Sequence, residues 1–480
     1  MNSSKILLTF LFCSTFFASV FAQHEYETLV SVEKLQEDLA VLKQNLQEVH
    51  PGLYTYHSKE KINSFFTDLS QDIKQPTSAI SFYRRLLPIL QLIANNHTKI
   101  KCPESYENAL ANELPRIPLR LYANNGKFYV HEDLSDEQDI SLGSEILNIN
   151  GVSSGKILSD MIQFDTPDGF NLSHSIYGIG AAFSRRYGYY FGTPENYEVV
   201  FLKKDGTPKN VMIKGLKATV INAKRENLKL IRAKEVLQFS VKNDIGHLRI
   251  PSFQPKNSGA YRKKLRQIFQ KLKERGTKTL VIDVRRNGGG YGEAVSALVS
   301  YLIDQTIFPY KDEYALVDEI PYPQYYKKDM FFKHFKKQPL VKKGEYYHIK
   351  NIRSQKINFK KNAFKGKLYI LMDGASASAT GEFLGLAKSY TEAIFIGQES
   401  GGNPAETTAN DLLHMTLPNS KVRVTIPALR SVMNITFENI GRGVIPDYEV
   451  IPTIADILGN RDVVLDFTLQ KIRSTVKARQ

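Results

Sequence analysis

Thr279-Leu280-Val281-Ile282-Asp283-Val284-Arg285-Arg286-Asn287-Gly288-Gly289-Gly290 is an apolar run that ends in a charged turn and three glycines. Such a run, bounded by turn residues, predicts a buried strand over Thr277 to Val284. Three glycines after it let the backbone turn tightly and present bare N–H groups to a ligand, as an oxyanion hole or a phosphate cradle needs. The Lys-Ser/Thr ending of a nucleotide loop is missing, and glycines alone do not separate a binding loop from a simple turn.

Working outward, Gly246 to Pro251 reads as a strand, Ala260 to Arg275 and Glu293 to Leu302 as helices. Further on come a strand at Lys367 to Met372, a helix at Ala379 to Tyr390 and a strand at Ala393 to Gly397. This alternation predicts an α/β core over residues 236–475 with parallel strands and its site at the strand carboxyl ends. The second strand that meets a helix directly does so through Asp373-Gly374-Ala375-Ser376-Ala377-Ser378-Ala379-Thr380-Gly381-Glu382-Phe383. A serine at such a turn is held exposed, and the helix N-terminus favours negative charge developing on an attacked carbonyl. The same serines would also serve as ordinary helix caps. Ser378 sits nearest the helix start and is the candidate nucleophile; Ser376 is the alternative.

Ahead of the core, residues 24–103 carry helical spacing: Leu35, Leu39, Leu42 and Leu46 before Pro51, then Ile62 to Ile73 and Ala79 to Ile93. Residues 117–215 change to short alternating runs broken by Asn-Gly and Asp-Gly pairs, predicting a β-rich domain. At 480 residues, with 42% hydrophobic content, two or three domains are expected. Residues 304–362 form an insertion in the core. From Tyr326 to Lys365 paired lysines alternate with Phe and Tyr, which predicts a solvated segment. Basic residues interleaved with aromatics can also bind single-stranded nucleic acid.

An export signal argues against that partner. Lys5, the apolar run Ile6 to Val20 and Val20-Phe21-Ala22 read as a signal peptide over residues 1–22, cleaved before Gln23, and the run is short for a spanning helix. Phe12 before Cys13 is bulkier than a lipid-attachment site prefers, so lipid anchoring is not expected. The remaining chain keeps only Cys102, which excludes an intrachain disulfide and leans towards a bacterial periplasmic or extracellular protein. The formal charge of +15, from 64 basic and 49 acidic residues, comes from scattered lysines and fits a soluble basic protein. His131, His174, His247, His334, His348 and His414 show no metal-ligand spacing, and no cofactor motif is present.

Asp283-Val284-Arg285-Arg286-Asn287 with its three glycines, followed about ninety residues later by the Ser-Ala-Ser turn, resembles the tail-specific, or C-terminal-processing, serine peptidase family S41. The resemblance covers the helical segment, the β-rich region and the α/β core. Within it, Leu142-Gly143-Ser144-Glu145-Ile146-Leu147-Asn148-Ile149-Asn150-Gly151-Val152 is similar to a PDZ signature and implies a groove for peptides or chain termini over 117–215. The resemblance implies protein or peptide substrates, and an oxyanion hole made by the backbone of Gly288 or Gly289 and of Ala379. Two departures stand out. Glu382 lies four residues after Ser378 where the family pattern has three, and Asn403 occupies the position of the general-base lysine. An amide cannot take a proton from a serine hydroxyl at neutral pH. Either the chain is an inactive member that binds a peptide or other ligand, or another base serves.

The tricorn-like branch of the family supplies one by resemblance. Asn95-Asn96-His97-Thr98 is similar to its histidine motif, and Glu438-Asn439-Ile440-Gly441 before Pro446-Asp447 to its glutamate segment. The implied triad is Ser378 as nucleophile, His97 as base and Glu438 as the carboxylate that orients His97.

Overall fold

In the computed structural model, which describes residues 25–227, 237–352, 355–408, 410–438 and 441–477, the run that opened the sequence is the third strand of a six-stranded sheet. Its strands are β1 (Gln238–Lys242), β2 (Ile245–Arg249), β3 (Thr279–Asp283), β4 (Lys367–Met372), β5 (Ile394–Gly397) and β6 (Tyr448–Glu449), and they lie side by side in chain order. From β2 to β6 every pairing is parallel; β1 pairs antiparallel with β2. Right-handed crossovers that always step the same way place their helices on one face. Accordingly α1 (Ser258–Glu274), α2 (Gly292–Val299) and α3 (Ala379–Tyr390) pack against Leu280, Ile282, Leu368 and Ile370. The opposite face carries Val281, Tyr369, Leu371 and Ile396, and the helix Val463–Lys477 closes over it. Both faces of β3 are thus buried, which is why its sequence is apolar without alternation.

The β-rich region is an antiparallel sheet of Leu119–Asn124, Lys127–Asp133, Glu145–Ile149, Val152–Ser153, Asn196–Leu202 and Pro208–Lys214. Asn150 (φ 52°) and Gly151 (φ 78°) make the expected turn, and a helix, Ser154–Gln163, follows. Two more helices, Ser173–Ala181 and Phe183–Phe191, intervene before the next strand, so the region is mixed rather than β-rich throughout.

The N-terminal helices Val32–Val49, Lys59–Asp72, Ala79–Leu86 and Ile89–Ile93 do not form a core of their own. The expected single helix over Ala79 to Ile93 is broken at Pro88, whose missing N–H and ring interrupt the helical ladder. Their apolar faces join Tyr326, Phe332 and Phe335 from the basic insertion and Leu413, Met415, Val424 and Ile426 from a small sheet late in the chain. The insertion therefore differs from the solvated segment expected for it. Its lysines are exposed, but Tyr326, Phe332 and Phe335 are core, and Tyr310–Ala315, Leu340–Lys343 and Tyr346–Ile349 are strands of a five-stranded sheet completed by Glu406–Thr407 and Arg430–Met433. Residues 1–22 and Cys13 lie outside the described residues. No described helix is long and apolar enough to cross a membrane.

Candidate active site

The carboxyl ends of β3 and β4 lie side by side, so the glycine turn and the serine turn meet. Asp283 is fully buried at the end of β3 and holds the Arg285 guanidinium through both carboxylate oxygens, at 2.9 and 2.8 Å. Arg285 also reaches both oxygens of Asp462, at 2.6 and 2.8 Å, and the two carboxylates raise its pKa further. The charged residues of the motif are thus a frame for the turn. Asn287 is also buried: its Nδ2 donates to Ile250 O (2.9 Å), its Oδ1 accepts from Gly289 N (2.9 Å), and its carbonyl accepts from Ala377 N (3.2 Å).

Gly289 then rests on the serine turn. It has φ 105°, and a Cβ there would lie 2.9 Å from Ala377 O, Ala379 N and Ser378 Cβ. Because Gly289 N–H is already given to Asn287, Gly288, which is exposed, is the glycine left to offer an N–H beside that of Ala379.

Ser378 has φ 54° and ψ −129° at the start of α3, and its side chain makes no capping hydrogen bond. A serine that merely capped the helix would have extended dihedrals and accept from the second or third helical N–H. Holding a non-glycine residue in this conformation costs about 1–3 kcal/mol, and such strain concentrates at functional turns. The neighbouring serine is built in differently: Ser376 is fully buried, donates to Val284 O (2.9 Å) and accepts from Asp373 N (3.1 Å). It locks β4 to the end of β3.

His97 follows the helix Ile89–Ile93, whose cap, Ala94, is left-handed (φ 51°), and precedes the strand Lys99–Lys101, which pairs with Arg423–Pro427. Asn95 Oδ1 accepts from His97 N (3.2 Å) and from Thr408 Oγ1 (2.9 Å). Thr98 is gripped by His50. Gly52 N–H donates to His50 Nδ1 (3.0 Å), so the proton is assigned to Nε2, which donates to Thr98 Oγ1 (2.7 Å). Burial pushes His50 down to about 3, keeping it neutral. Burial, with the charges of Lys99 and His174, pushes His97 down to about 3 as well.

What joins these pieces is a strap that sequence reasoning passed over, residues 165–174. Thr166 Oγ1 donates to Thr98 O (3.0 Å), Gly169 N to Ala94 O (2.7 Å) and Phe170 N to Gly441 O (2.7 Å). Asp168 Oδ2 accepts from Asn403 N (2.8 Å), Asn171 Nδ2 donates to Ser400 O, and His174 Nδ1 lies 3.2 Å from Gly374 O. Gly402 backs directly onto the serine turn, since a Cβ there would lie 2.9 Å from Ser378 N. The strap thus ties the His97 loop, the turn before Ser378 and Gly441, three residues after Glu438, into one hydrogen-bonded neighbourhood. Within it, neither the His97 ring, the Ser378 hydroxyl nor the Glu438 carboxylate hydrogen-bonds to a described residue, and Glu438 is exposed. Asn403 does not act as a stand-in base: its Nδ2 donates to Tyr56 Oη (2.8 Å), its Oδ1 accepts from Ala405 N (2.9 Å), and Tyr56 passes the chain to Glu406, which is paired with Arg430.

Residues 244–450 match the family model described as peptidase family S41. That stretch, most of the α/β core, belongs to peptidase family S41. Among solved structures, this S41 peptidase is similar to mature CPAF, with a TM-score of 0.60 and 14% identity over 89% of this chain and 94% of that one. It is similar also to mature CPAF complexed with lactacystin, with a TM-score of 0.62 and 14% identity over 93% and 98% of the two chains. At that identity the likeness speaks for the fold alone. The photosystem II D1 C-terminal processing protease aligns with a TM-score of 0.41 and 14% identity over 87% and 93%. No curated protein matches the S41 peptidase in sequence.

Proposed function

We propose that this S41 peptidase is an exported enzyme that hydrolyses peptide bonds of protein or peptide substrates through Ser378, His97 and Glu438. The observation that carries the reading is Ser378 itself, a strained, non-capping serine at a strand-to-helix turn, set against the glycine loop. In the mechanism, His97 takes the Ser378 hydroxyl proton as Oγ attacks the carbonyl, and later gives it to the leaving amine. The N–H groups of Gly288 and Ala379 receive the developing oxyanion, helped by the N-terminus of α3. His97 is neutral at pH 7, the form a base requires. Its imidazolium is disfavoured by burial, so a carboxylate must approach to stabilise it, and Glu438 is the group assigned to do so. Export through residues 1–22 and capture of chain ends by the PDZ-like region belong to the same reading.

The test is labelling by a fluorophosphonate probe together with hydrolysis of denatured casein. Wild type should be labelled and Ser378→Ala should not, with His97→Ala losing nearly all turnover. Equal labelling of wild type and Ser378→Ala would refute the nucleophile.

A further inference from the structure

Asp168 is a buried carboxylate that the proposed chemistry does not use. It sits at the middle of the strap, between the two loops whose relative placement decides whether His97 can reach Ser378. On one side it accepts the Asn403 N–H at 2.8 Å, next to Gly402, which lies against Ser378 N. On the other side the Asn96 N–H, in the residue before His97, adds to the stabilisation of its charge. Flanking bonds hold the strap itself in register: Thr166 to Thr98 and Gly169 to Ala94.

We propose that Asp168 is a positioning residue whose ionised carboxylate clasps the His97 loop to the loop behind Ser378, so that proton uptake by Asp168 loosens the clasp and switches hydrolysis off. The inference rests on the reading of Ser378 and His97 as nucleophile and base. A carboxylate accepts from the Asn403 N–H at full strength, whereas a neutral acid accepts less strongly and carries a proton of its own to place.

The groups around Asp168 set where the change falls. Burial pushes its pKa up to about 7, and the Glu406 charge adds to the rise; the two N–H donors and Lys99 pull against it. Lys99, from the strand Lys99–Lys101, is itself pulled down, chiefly by burial. Glu406 is paired with Arg430, and Tyr56, whose hydroxyl is held far above its ordinary range by burial, is neutral. Asp165, earlier on the strap, is paired with Arg186. The His97 ring, held down near 3, does not titrate near neutrality and cannot supply a step there.

The sign follows: the clasp is present above about pH 7 and lost as pH falls through it. The rate of Ser378 labelling by the fluorophosphonate probe should therefore be about tenfold lower at pH 6 than at pH 8 in wild type. Asp168→Asn, which keeps one acceptor oxygen and cannot ionise, should label slowly but at the same rate at both pH values. Glu406→Gln, which removes the negative neighbour, should move the midpoint to lower pH. A wild-type midpoint retained in Asp168→Asn overturns the clasp and leaves only a structural carboxylate. If Asp168→Asn does not fold by circular dichroism, the Glu406→Gln midpoint decides, and an unmoved midpoint overturns the proposal. Wild type that is never labelled, like Ser378→Ala, sinks the nucleophile reading and the clasp with it.

Discussion

Adding one methyl group at Gly289 tests whether the glycine loop stands where the oxyanion would form. In Gly289→Ala the new Cβ would be 2.9 Å from Ala377 O, Ala379 N and Ser378 Cβ, all on the serine turn. Ordinary van der Waals contact begins at 3.4 Å, so the turn or the loop must give way by about 0.5 Å (3.4 − 2.9). The neighbours are backbone and a strained residue, which cannot simply rotate aside. The φ of 105° adds strain, since side chains rarely adopt it. Together these should destabilise the fold by about 2–4 kcal/mol. The larger effect should be on rate. A shift of that size moves Ala379 N–H and Ser378 relative to each other, and misplacing one oxyanion donor costs about 10²–10³ in kcat. Gly126→Ala is the control: its φ of 74° is also strained, but a Cβ there meets nothing within 4 Å. It should lower the melting temperature without changing kcat/KM. Steady-state hydrolysis and thermal melting of both variants make the comparison. A Gly289→Ala protein that is destabilised but keeps kcat/KM within about twofold would refute the placement of this loop at the reacting carbonyl.

Three further outcomes are expected. Ser376→Ala should keep probe labelling yet lose about 1–3 kcal/mol in urea unfolding, because Val284 O and Asp373 N each lose a buried partner. Arg285→Ala should lose up to about 3–5 kcal/mol, since buried Asp283 then keeps only the more distant Arg249, at 3.8 Å, as counter-charge; a smaller loss in Arg285→Lys would show that charge matters as well as the fork geometry. Glu382 is pushed up to about 7, chiefly by burial, and is accordingly uncharged in the fold at pH 5. Because its folded pKa exceeds the unfolded one, wild-type stability attributable to it falls as pH rises through about 4.5 to 7. Glu382→Gln should then gain up to about 3 kcal/mol on wild type at pH 8 relative to pH 5, measured by melting at both.

The core was legible because each of its decisive signals is local. Apolar strands that end in Gly288 to Gly290 or in Ser376 to Ser378 announce both element type and chain direction, and the helix and strand limits fall within a few residues of those expected. The basic insertion was misread because Lys327-Lys328, Lys336-Lys337 and their like dominate its composition. The burial of Tyr326, Phe332 and Phe335 between them depends on partners some three hundred residues away in sequence, among the N-terminal helices. The strap was missed for a related reason. Asp165-Thr166-Pro167-Asp168-Gly169 reads as any turn does, and nothing local says that Asp168 meets Asn403 across 235 positions. Asn403 reads in sequence only as a residue that cannot act as a base; its link through Tyr56 to Glu406 appears only in three dimensions.

The helix Val463–Lys477 covers the face of the sheet that α1, α2 and α3 leave bare. During synthesis it is also among the last parts of the described chain to be made. At roughly 5–20 residues per second, the interval between Ser378 and Lys477 lasts about 5–20 s. Until the helix Val463–Lys477 is made, Val281, Tyr369 and Leu371 lack its cover, and until Asp462 is made Arg285 lacks that partner. The glycine turn therefore has only its Asp283 tie until Asp462 is made, so a nascent chain carries its serine for several seconds before the Arg285 frame is complete.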